Sequence, residues 1–468
     1  MIFSKKKVPV LHPYFLGAYF ILEGFASIAD YVSPWAMIAP MGVICALVFL
    51  INRAIKAVMK DRIKAGMLTF SVLVPLLFYA RVLEEVSDSF LGLGRARFVV
   101  LGLTLMVVIF SWFVWKTRRK LVLATAFLNT LTACYIVYGI YLVAVNFAPY
   151  DNSWEARLRQ REPGMSAAPR GAEGLPDIYF IILDGYTGSA SLEKYWRYDN
   201  SEFTGALGKM GFFVAGESRS LSVSTIASIA ADLNLTNDPL LLEQQEEIMY
   251  RIIRDNRGMA YMRSRGYEIV NLSPFPLTGA PRFYRAFGLG DIGPGNFHGL
   301  FMRTAVFDLG TIIESNRLYK VNRRLFKELK ETPLRGKGKP RFIYAHVMMP
   351  HLPYCFDRDG RLISWLDRRQ ESDKQAYLEQ LIFTNKNARE TVAAILRDSP
   401  KPPVIVIQGD HGFRRLDEPG AESEEVTILN AVYLPGEGSG AISPAINSVN
   451  TLRMVFNRYL GTRLEMLE

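Results

Sequence analysis

The sequence predicts a chain in two parts: a five-helix transmembrane bundle over residues 1–147, then an α/β domain with a mostly parallel central sheet over residues 177–468, joined by a linker at 148–176. Three observations carry this. Apolar blocks of membrane-crossing length fill the first 150 residues. From Asp177 onward, short β-branched runs alternate with helical stretches. Two of those runs end in acids, at Asp184 and at Asp410-His411.

The apolar blocks run over 11–29, 34–51, 66–82, 98–115 and 121–145. Each is about as long as the roughly 17 to 25 residues a bilayer core requires, and five in succession exclude a soluble helical core. The loops give the orientation. Lys5, Lys6 and Lys7 precede the first block, Arg53, Lys56, Lys60, Arg62 and Lys64 follow the second, and Lys116, Arg118, Arg119 and Lys120 follow the fourth. The alternate loops carry Asp30, Glu84, Glu85 and Asp88, with Arg95 and Arg97 as exceptions. By the positive-inside rule the N-terminus is cytoplasmic, and five crossings put everything after Tyr150 outside. No cleavable signal peptide is expected, because the first block has no small-residue cleavage site and is followed at once by further spans.

Residues 1–150 hold 15 Lys+Arg against 6 Asp+Glu, which accounts for +9 of the net charge of +10. The basic balance therefore reports membrane orientation and excludes a nucleic-acid partner as its cause. Cys45 and Cys134 fall in the blocks, leaving Cys355 alone beyond them, so no disulfide is expected within the outer domain.

The linker is rich in Pro, Gly, Arg and Glu, with a short amphipathic helix expected at 154–161. Beyond it, strands are expected at 341–347, 403–408 and 427–434, and helices at 200–210, 241–264 and 370–397. Such alternation marks a layered α/β domain. No internal repeat is present.

The stretch VIVIQGDHGF lies between Pro402-Pro403 and the glycines Gly409 and Gly412, the pattern of a central strand covered on both faces. In open parallel sheets the ligand crevice lies beyond the carboxyl ends of the strands, where Asp410 and His411 fall. A second such strand, PDIYFIILDGYTG, delivers Asp184 to the same edge, and together they suggest a metal site. A nucleophile is offered by SRSLSVSTIASIAADLNL: residues 218–224 read as extended and 225–235 as helical, so Thr225 stands at a helix N-terminus, where unpaired N–H groups favour an anion. The plainer reading makes Ser224 or Thr225 an N-cap. In FIYAHVMMPHLPYCFDRDG, His346 ends a strand and fits a satisfied core residue, whereas His351, in a turn before Leu352-Pro353, suits a group facing the crevice. His12 belongs to the first block and His298 has no acidic neighbour, so both are expected to be structural.

At ILDGY, the helix-start Thr, PHLPYCFDRDG, QGDHG, ILNAVYLPG and VNTLRMVFNRYLG, the chain resembles the alkaline-phosphatase-like superfamily. Within it the chain is similar to the membrane-anchored sulfatase-like transferases, such as lipoteichoic acid synthases and lipid A phosphoethanolamine transferases, which share five spans and an outer catalytic domain. The resemblance covers most of 177–467. It implies that Asp184, Thr225, Asp410 and His411 bind metal, that Thr225 is also the nucleophile, and that His351 contacts the transferred phosphoryl group. No C/S-x-P-x-R motif stands near Thr225, so sulfate-ester hydrolysis is not expected. No Asp-x-x-x-His pair precedes His411, so one divalent ion is expected, Zn²⁺ or Mn²⁺, with Mg²⁺ also open. The disulfides usual in the phosphoethanolamine enzymes cannot form here, which tilts the likeness toward the lipoteichoic-acid type.

The function implied is metal-dependent transfer of a phospholipid-derived phosphoethanolamine or phosphoglycerol group to an envelope glycan or lipid through a phosphothreonine. The phospholipid donor, the acceptor and the membrane would be the partners. The place implied is a bacterial inner (cytoplasmic) membrane, with the catalytic domain periplasmic or extracellular. Two alternatives use the same sequence features: a membrane-tethered phosphodiesterase that hands the intermediate to water, and a non-catalytic membrane scaffold.

Overall fold

The computed structural model describes residues 8–26, 37–86, 92–118, 121–146, 156, 164–165, 174–242, 246–281, 283, 307–336, 338–363, 373–414, 416, 421–436 and 442–467. Most of the expected linker, all of its expected amphipathic helix but residue 156, and His298 lie outside them. The chain divides into two compact units, one carrying the first five helices and the other the sheet.

In the first unit, α1 (His12–Ala26), α2 (Ile38–Met59), α3 (Arg62–Val86), α4 (Gly92–Lys116) and α5 (Val122–Asn146) stand at the five apolar blocks. Among the described residues, two stretches are long and apolar enough to cross a membrane, Pro40–Met59 and Val122–Val145, and Thr104–Lys116 is a shorter apolar helix. The helix α1 packs against α2, α3 and α5 and buries Phe20, Ile21 and Phe25. Small residues permit that approach: a Cβ on Gly17 would stand 3.0 Å from Ile44 Cγ1. The start of α1 is capped from α5. Asn129 Oδ1 accepts from the backbone N–H of Leu11 (3.1 Å) and His12 (2.9 Å), and Asn129 Nδ2 donates to Pro9 O (2.7 Å). In an apolar surround those N–H groups need such partners.

The second unit is built on six strands, β1 (Ile178–Leu183), β2 (Phe213–Ala215), β3 (Glu268–Leu272), β4 (Arg341–Val347), β5 (Val404–Gly409) and β6 (Asn430–Tyr433), in the order β2-β6-β5-β1-β4-β3. The strands β5, β1, β4 and β3 run parallel, and β6 is antiparallel to both of its neighbours, so the sheet is mixed with one reversed strand. Every residue of β1, β4 and β5 is buried, which is why these strands read as unbroken apolar runs. Around the sheet lie α6 (Ser189–Trp196), α7 (Ser201–Lys209), α8 (Thr225–Asn234), α9 (Pro239–Leu242), α10 (Glu246–Arg254), α11 (Arg257–Ser264), α12 (Phe307–Glu331), α13 (Asp373–Asp398) and α14 (Ser448–Val455).

Register positions the site. Leu183 stands opposite both Val347 and Gly409, so the chain leaves three neighbouring strands at one level. Ile182, His346 and Gln408 are partners one step earlier. Side chains alternate along a strand, so Asp184 and Asp410, two residues beyond Ile182 and Gln408, leave on the same face as His346.

Two expectations need correction. The single helix expected over 241–264 is interrupted between α10 and α11. Asn256 breaks it: its backbone is extended (ψ 147°) and its side chain accepts from Met259 N (2.8 Å), capping a new helix. The strand expected over 427–434 shortens to β6, because Thr427 and Ile428 make only isolated bridges, to Arg219 and Thr187.

The strand starts are tied by Asp177. Its carboxylate accepts from Arg341 N (2.8 Å), Nε (3.1 Å) and Nη2 (2.5 Å), and its carbonyl accepts from Val404 N (2.8 Å). Arg341 is buried. Removing one partner of a buried ion pair leaves the other charge uncompensated, so Asp177→Ala should cost about 3 kcal/mol, read as a lower unfolding midpoint of the full-length protein in detergent.

Candidate metal centre

The end of β1 and the end of β5 are locked together through Asp410. Its Oδ1 accepts from Gly185 N (2.9 Å) and from His411 N (3.0 Å). Gly185 takes a φ of +71°, in the left-handed region that favours glycine, and this aims its N–H at the acid. Asp410 Oδ2 is buried and has no hydrogen-bond partner. Asp184 repeats the pattern: Oδ2 faces His346 Nε2 at 3.0 Å, and Oδ1 is buried without a partner.

The protons of the three imidazoles follow from their neighbours. His411 Nδ1 donates to Gly412 O (2.6 Å), which leaves a lone pair on Nε2. That nitrogen stands 3.5 Å from Asp184 Oδ1, 3.7 Å from Asp410 Oδ2 and 3.2 Å from Thr225 Oγ1. His346 takes the Tyr344 hydroxyl at Nδ1 (3.3 Å) and so donates from Nε2 to Asp184. His351 Nδ1 donates to Leu352 O (2.7 Å), and its Nε2 accepts from Arg414 Nη2 (3.0 Å).

Two carboxylate oxygens and one imidazole lone pair thus face each other in a buried space, and the proton within reach is that of the Thr225 hydroxyl. Such a set is costly to bury without a compensating positive charge, and its mixed oxygen and nitrogen donors fit a divalent cation. Ligand atoms of Asp184, His351 and His411 lie within 4.8 Å of one another, as do those of Asp184, His346 and Asp410. Burial pushes the Asp184 carboxyl up, but the positive charge that His351, His346 and His411 carry when protonated, together with the hydrogen bond from His346, more than offsets it and holds the acid below the usual carboxylate range.

Thr225 opens α8. Ser224 before it has the extended backbone of a cap residue (φ −89°, ψ 124°) but makes no side-chain cap bond. Neighbouring hydroxyls are spent on the loop itself: Ser218 Oγ donates to Ile446 O (2.6 Å), Ser220 Oγ and Ser228 Oγ each donate to Ser222 O (2.9 Å), and Ser222 Oγ accepts from Ser224 N (3.0 Å).

Of the residues singled out from sequence, Asp184, Thr225, Asp410 and His411 come together, with His351 beside them, its ring centroid 5.9 Å from that of His411. His346 is a buried strand residue that also holds an acid of the cluster. Three contributors were not singled out. Arg414 lines a crevice of about 270 Å³ with Gly185, His351, His411 and Phe413, and also donates to Val223 O (3.1 Å). Tyr377, on α13, donates to Gly185 O (2.9 Å) and accepts from Thr187 N (3.1 Å). Gln380 accepts from Cys355 N (2.7 Å) and donates to His351 O (2.8 Å). Arg414 had a signal, three residues after His411, but beside Arg415 it reads as a solvated charge pair.

Behind the cluster, Gln408 Nε2 donates to Asp232 Oδ2 on α8 (2.7 Å), and Asp232 Oδ1 and Gln408 Oε1 are both buried without partners. A proton on Asp232 keeps an uncompensated charge out of this buried layer. Burial, with a further push from the Asp410 charge, raises the Asp232 carboxyl to about 7.

No family model matches the chain, and no curated protein matches it. Among solved structures, the chain is similar over 96% of its length, and 94% of the other, to the integral membrane protein lipooligosaccharide phosphoethanolamine transferase A of Neisseria meningitidis, at 12% identity and a TM-score of 0.42. It is similar to the C-terminal periplasmic domain of phosphoethanolamine transferase EptC of Campylobacter jejuni at 12% identity and a TM-score of 0.42, covering 66% of this chain and 95% of that one. The zinc complex of the C-terminal periplasmic domain of EcEptC from Escherichia coli is similar at 11% identity and a TM-score of 0.42, covering 63% and 86%. Likeness of this degree leaves activity, substrate and metal to the chain's own residues.

The Asp232 carboxyl makes folding stability depend on pH. Its folded-state pKa, about 7, lies above the ordinary 3.8, so its contribution is fully present below about pH 4 and is lost as pH rises toward about 7, at up to about 1.4 kcal/mol per pH unit. Asp232→Asn is neutral throughout and keeps a side-chain oxygen to accept from Gln408 Nε2. Its unfolding midpoint should therefore decline less than that of the parent between about pH 4 and 7, measured by thermal unfolding of the full-length proteins side by side.

Proposed function

We propose that the chain is an enzyme of the alkaline-phosphatase-like superfamily, of the membrane-anchored sulfatase-like transferase type. In this reading it moves a phospholipid head-group phosphate, phosphoethanolamine or phosphoglycerol, to an envelope glycan or lipid. The observation that carries the reading is the meeting of two orphaned carboxylate oxygens, the His411 Nε2 lone pair and the Thr225 hydroxyl at a helix N-terminus. The five apolar helices and their charged loops support five crossings of a bacterial inner membrane, a cytoplasmic N-terminus and a catalytic domain outside.

Asp184, Asp410, His411 and Thr225 would hold one divalent cation, and their donors suit Zn²⁺ or Mn²⁺, with Mg²⁺ open. When bound, such a cation makes the hydroxyl acidic enough to ionise near neutral pH and offsets charge on phosphoryl oxygens. His346 holds Asp184 in place from behind, which fixes the direction of its free oxygen. Thr225 Oγ1 attacks the phosphorus of the donor lipid. The new Oγ1–P bond forms as the P–O bond to diacylglycerol breaks, and the departing oxygen takes a proton. The helix N-terminus beside Oγ1 favours the anion that develops there. Arg414 and His351 face the crevice, where the guanidinium has N–H donors left for phosphoryl oxygens. In the second half an acceptor hydroxyl attacks the same phosphorus, and Thr225 regains its proton.

Brief exposure of the full-length protein to a donor phospholipid without acceptor should leave the head-group phosphate on Thr225. Peptide fragmentation must place it there and not on Ser220, Ser222 or Ser224. Thr225→Ala should abolish both the adduct and diacylglycerol release; full activity in that variant would end the proposal. Asp184→Asn and His411→Ala should each lose bound metal, by elemental analysis, together with activity. His351→Ala should keep the metal and slow turnover by about 10²- to 10³-fold.

A further inference from the structure

The ends of α3, α4 and α5 enclose a second cavity, of about 540 Å³, lined by Asp61, Lys64, Lys116, Thr117, Arg118 and Leu121 among others. Its charges are unequal in availability. The one acid in this lining, Asp61, accepts at Oδ1 from Ile63 N (2.8 Å) and Lys64 N (3.1 Å), so one of its oxygens caps the first turn of α3. Lys64 Nζ donates to Trp115 O (3.0 Å) and Thr117 O (2.5 Å) and fastens the end of α4 to the start of α3. Lys116 and Arg118 are exposed at the rim. The positive end of α5 opens on the same space, with no acid in its first turn.

The two helices that meet this rim carry exposed apolar side chains close to it in sequence. Trp112 and Trp115 on α4, and Leu123 and Phe127 on α5, are each more than half exposed, and Lys116 Nζ stands 5.5 Å over the Trp115 ring. Cations and Trp at one level, with uncovered apolar side chains along the helices whose ends line the cavity, mark a membrane–water boundary. A free phosphate would use only the rim. A phosphate carrying acyl chains uses both.

We propose that this cavity binds the phosphate of an anionic phospholipid, with its chains against α4 and α5. The proposal rests on the membrane placement of these helices and not on the chemistry at Thr225. On that placement the site faces the cytoplasm, at the leaflet where basic side chains near the surface attract anionic lipid.

The probe is dioleoyl phosphatidic acid, which has no head group to transfer, so neither outcome bears on the proposed reaction. Titrated into the detergent-purified full-length protein and followed by native mass spectrometry, it should bind in preference to dioleoylphosphatidylcholine. Replacing both rim cations, Lys116→Gln with Arg118→Gln, should weaken it by about twenty-five-fold, from roughly fivefold per cation. The charge-conserving pair Lys116→Arg and Arg118→Lys should retain most of the affinity. Equal binding of the two lipids, or unchanged binding in the Gln variant, overturns the proposal. Displacement of the lipid by millimolar inorganic phosphate overturns the lipid assignment.

Discussion

The second unit is organised around an electrostatic demand: Asp184 and Asp410 each present one carboxylate oxygen to the lone pair of His411, and none of the three has a proton to offer. Everything nearest to them serves to hold this otherwise repulsive arrangement. The other oxygen of Asp410 is gripped by two backbone N–H groups and that of Asp184 by His346. Satisfying one oxygen of each acid fixes the direction of the other. The equal level at which β1, β4 and β5 end makes these grips possible, because it sets Asp184, Gly185 and Asp410 side by side.

The surroundings sort charge by layer. At the cluster two carboxylates face an imidazole, whereas one layer back Asp232 pairs with an amide and favours a neutral acid. A third ionised carboxylate in that layer would add to the repulsion among the first two. On the open side the sign changes to positive, with Arg414 placed between His351 and the loop that carries Thr225. A crevice whose floor attracts a cation and whose rim attracts an anion is suited to a phosphoryl group bridging the two.

Sequence and structure agree best where a physical constraint acts on neighbours along the chain. Burial on both faces makes β1, β4 and β5 conspicuous, and the acids at their ends are conspicuous in turn. The strand β2 has only three residues, and β3 begins with exposed Glu268 and is half-covered, so neither leaves a distinct pattern. The break at Asn256 is a side-chain cap inside a long amphipathic stretch, where helix periodicity hides it. Arg414, Tyr377, Gln380 and Asp232 matter because of what lies across from them. Tyr377 reaches Gly185 from 192 residues away, and such partners are set by register and packing, which a local pattern does not encode. The meeting of Asp184 with Asp410 and His411 was legible because a strand end is itself a place in the fold.

The donors of the cluster are anchored in unequal ways. Asp184, Asp410 and His411 continue from central strands whose amides are buried, and such segments exchange with solvent only when the domain opens as a whole. Thr225 arrives differently, on the first turn of a helix whose preceding loop is held by hydroxyl contacts among Ser220, Ser222 and Ser228. The same loop is stitched to the sheet: Ser220 N donates to Val426 O (2.8 Å), Ile428 N donates to Ser218 O (3.1 Å), and Asn430 of β6 donates to Ser218 Oγ (3.0 Å). Three corners of the site are therefore continuations of central strands, while the fourth is held in place by the chain just before the reversed strand. A change in that segment would displace Thr225 and leave the two acids and His411 where they stand.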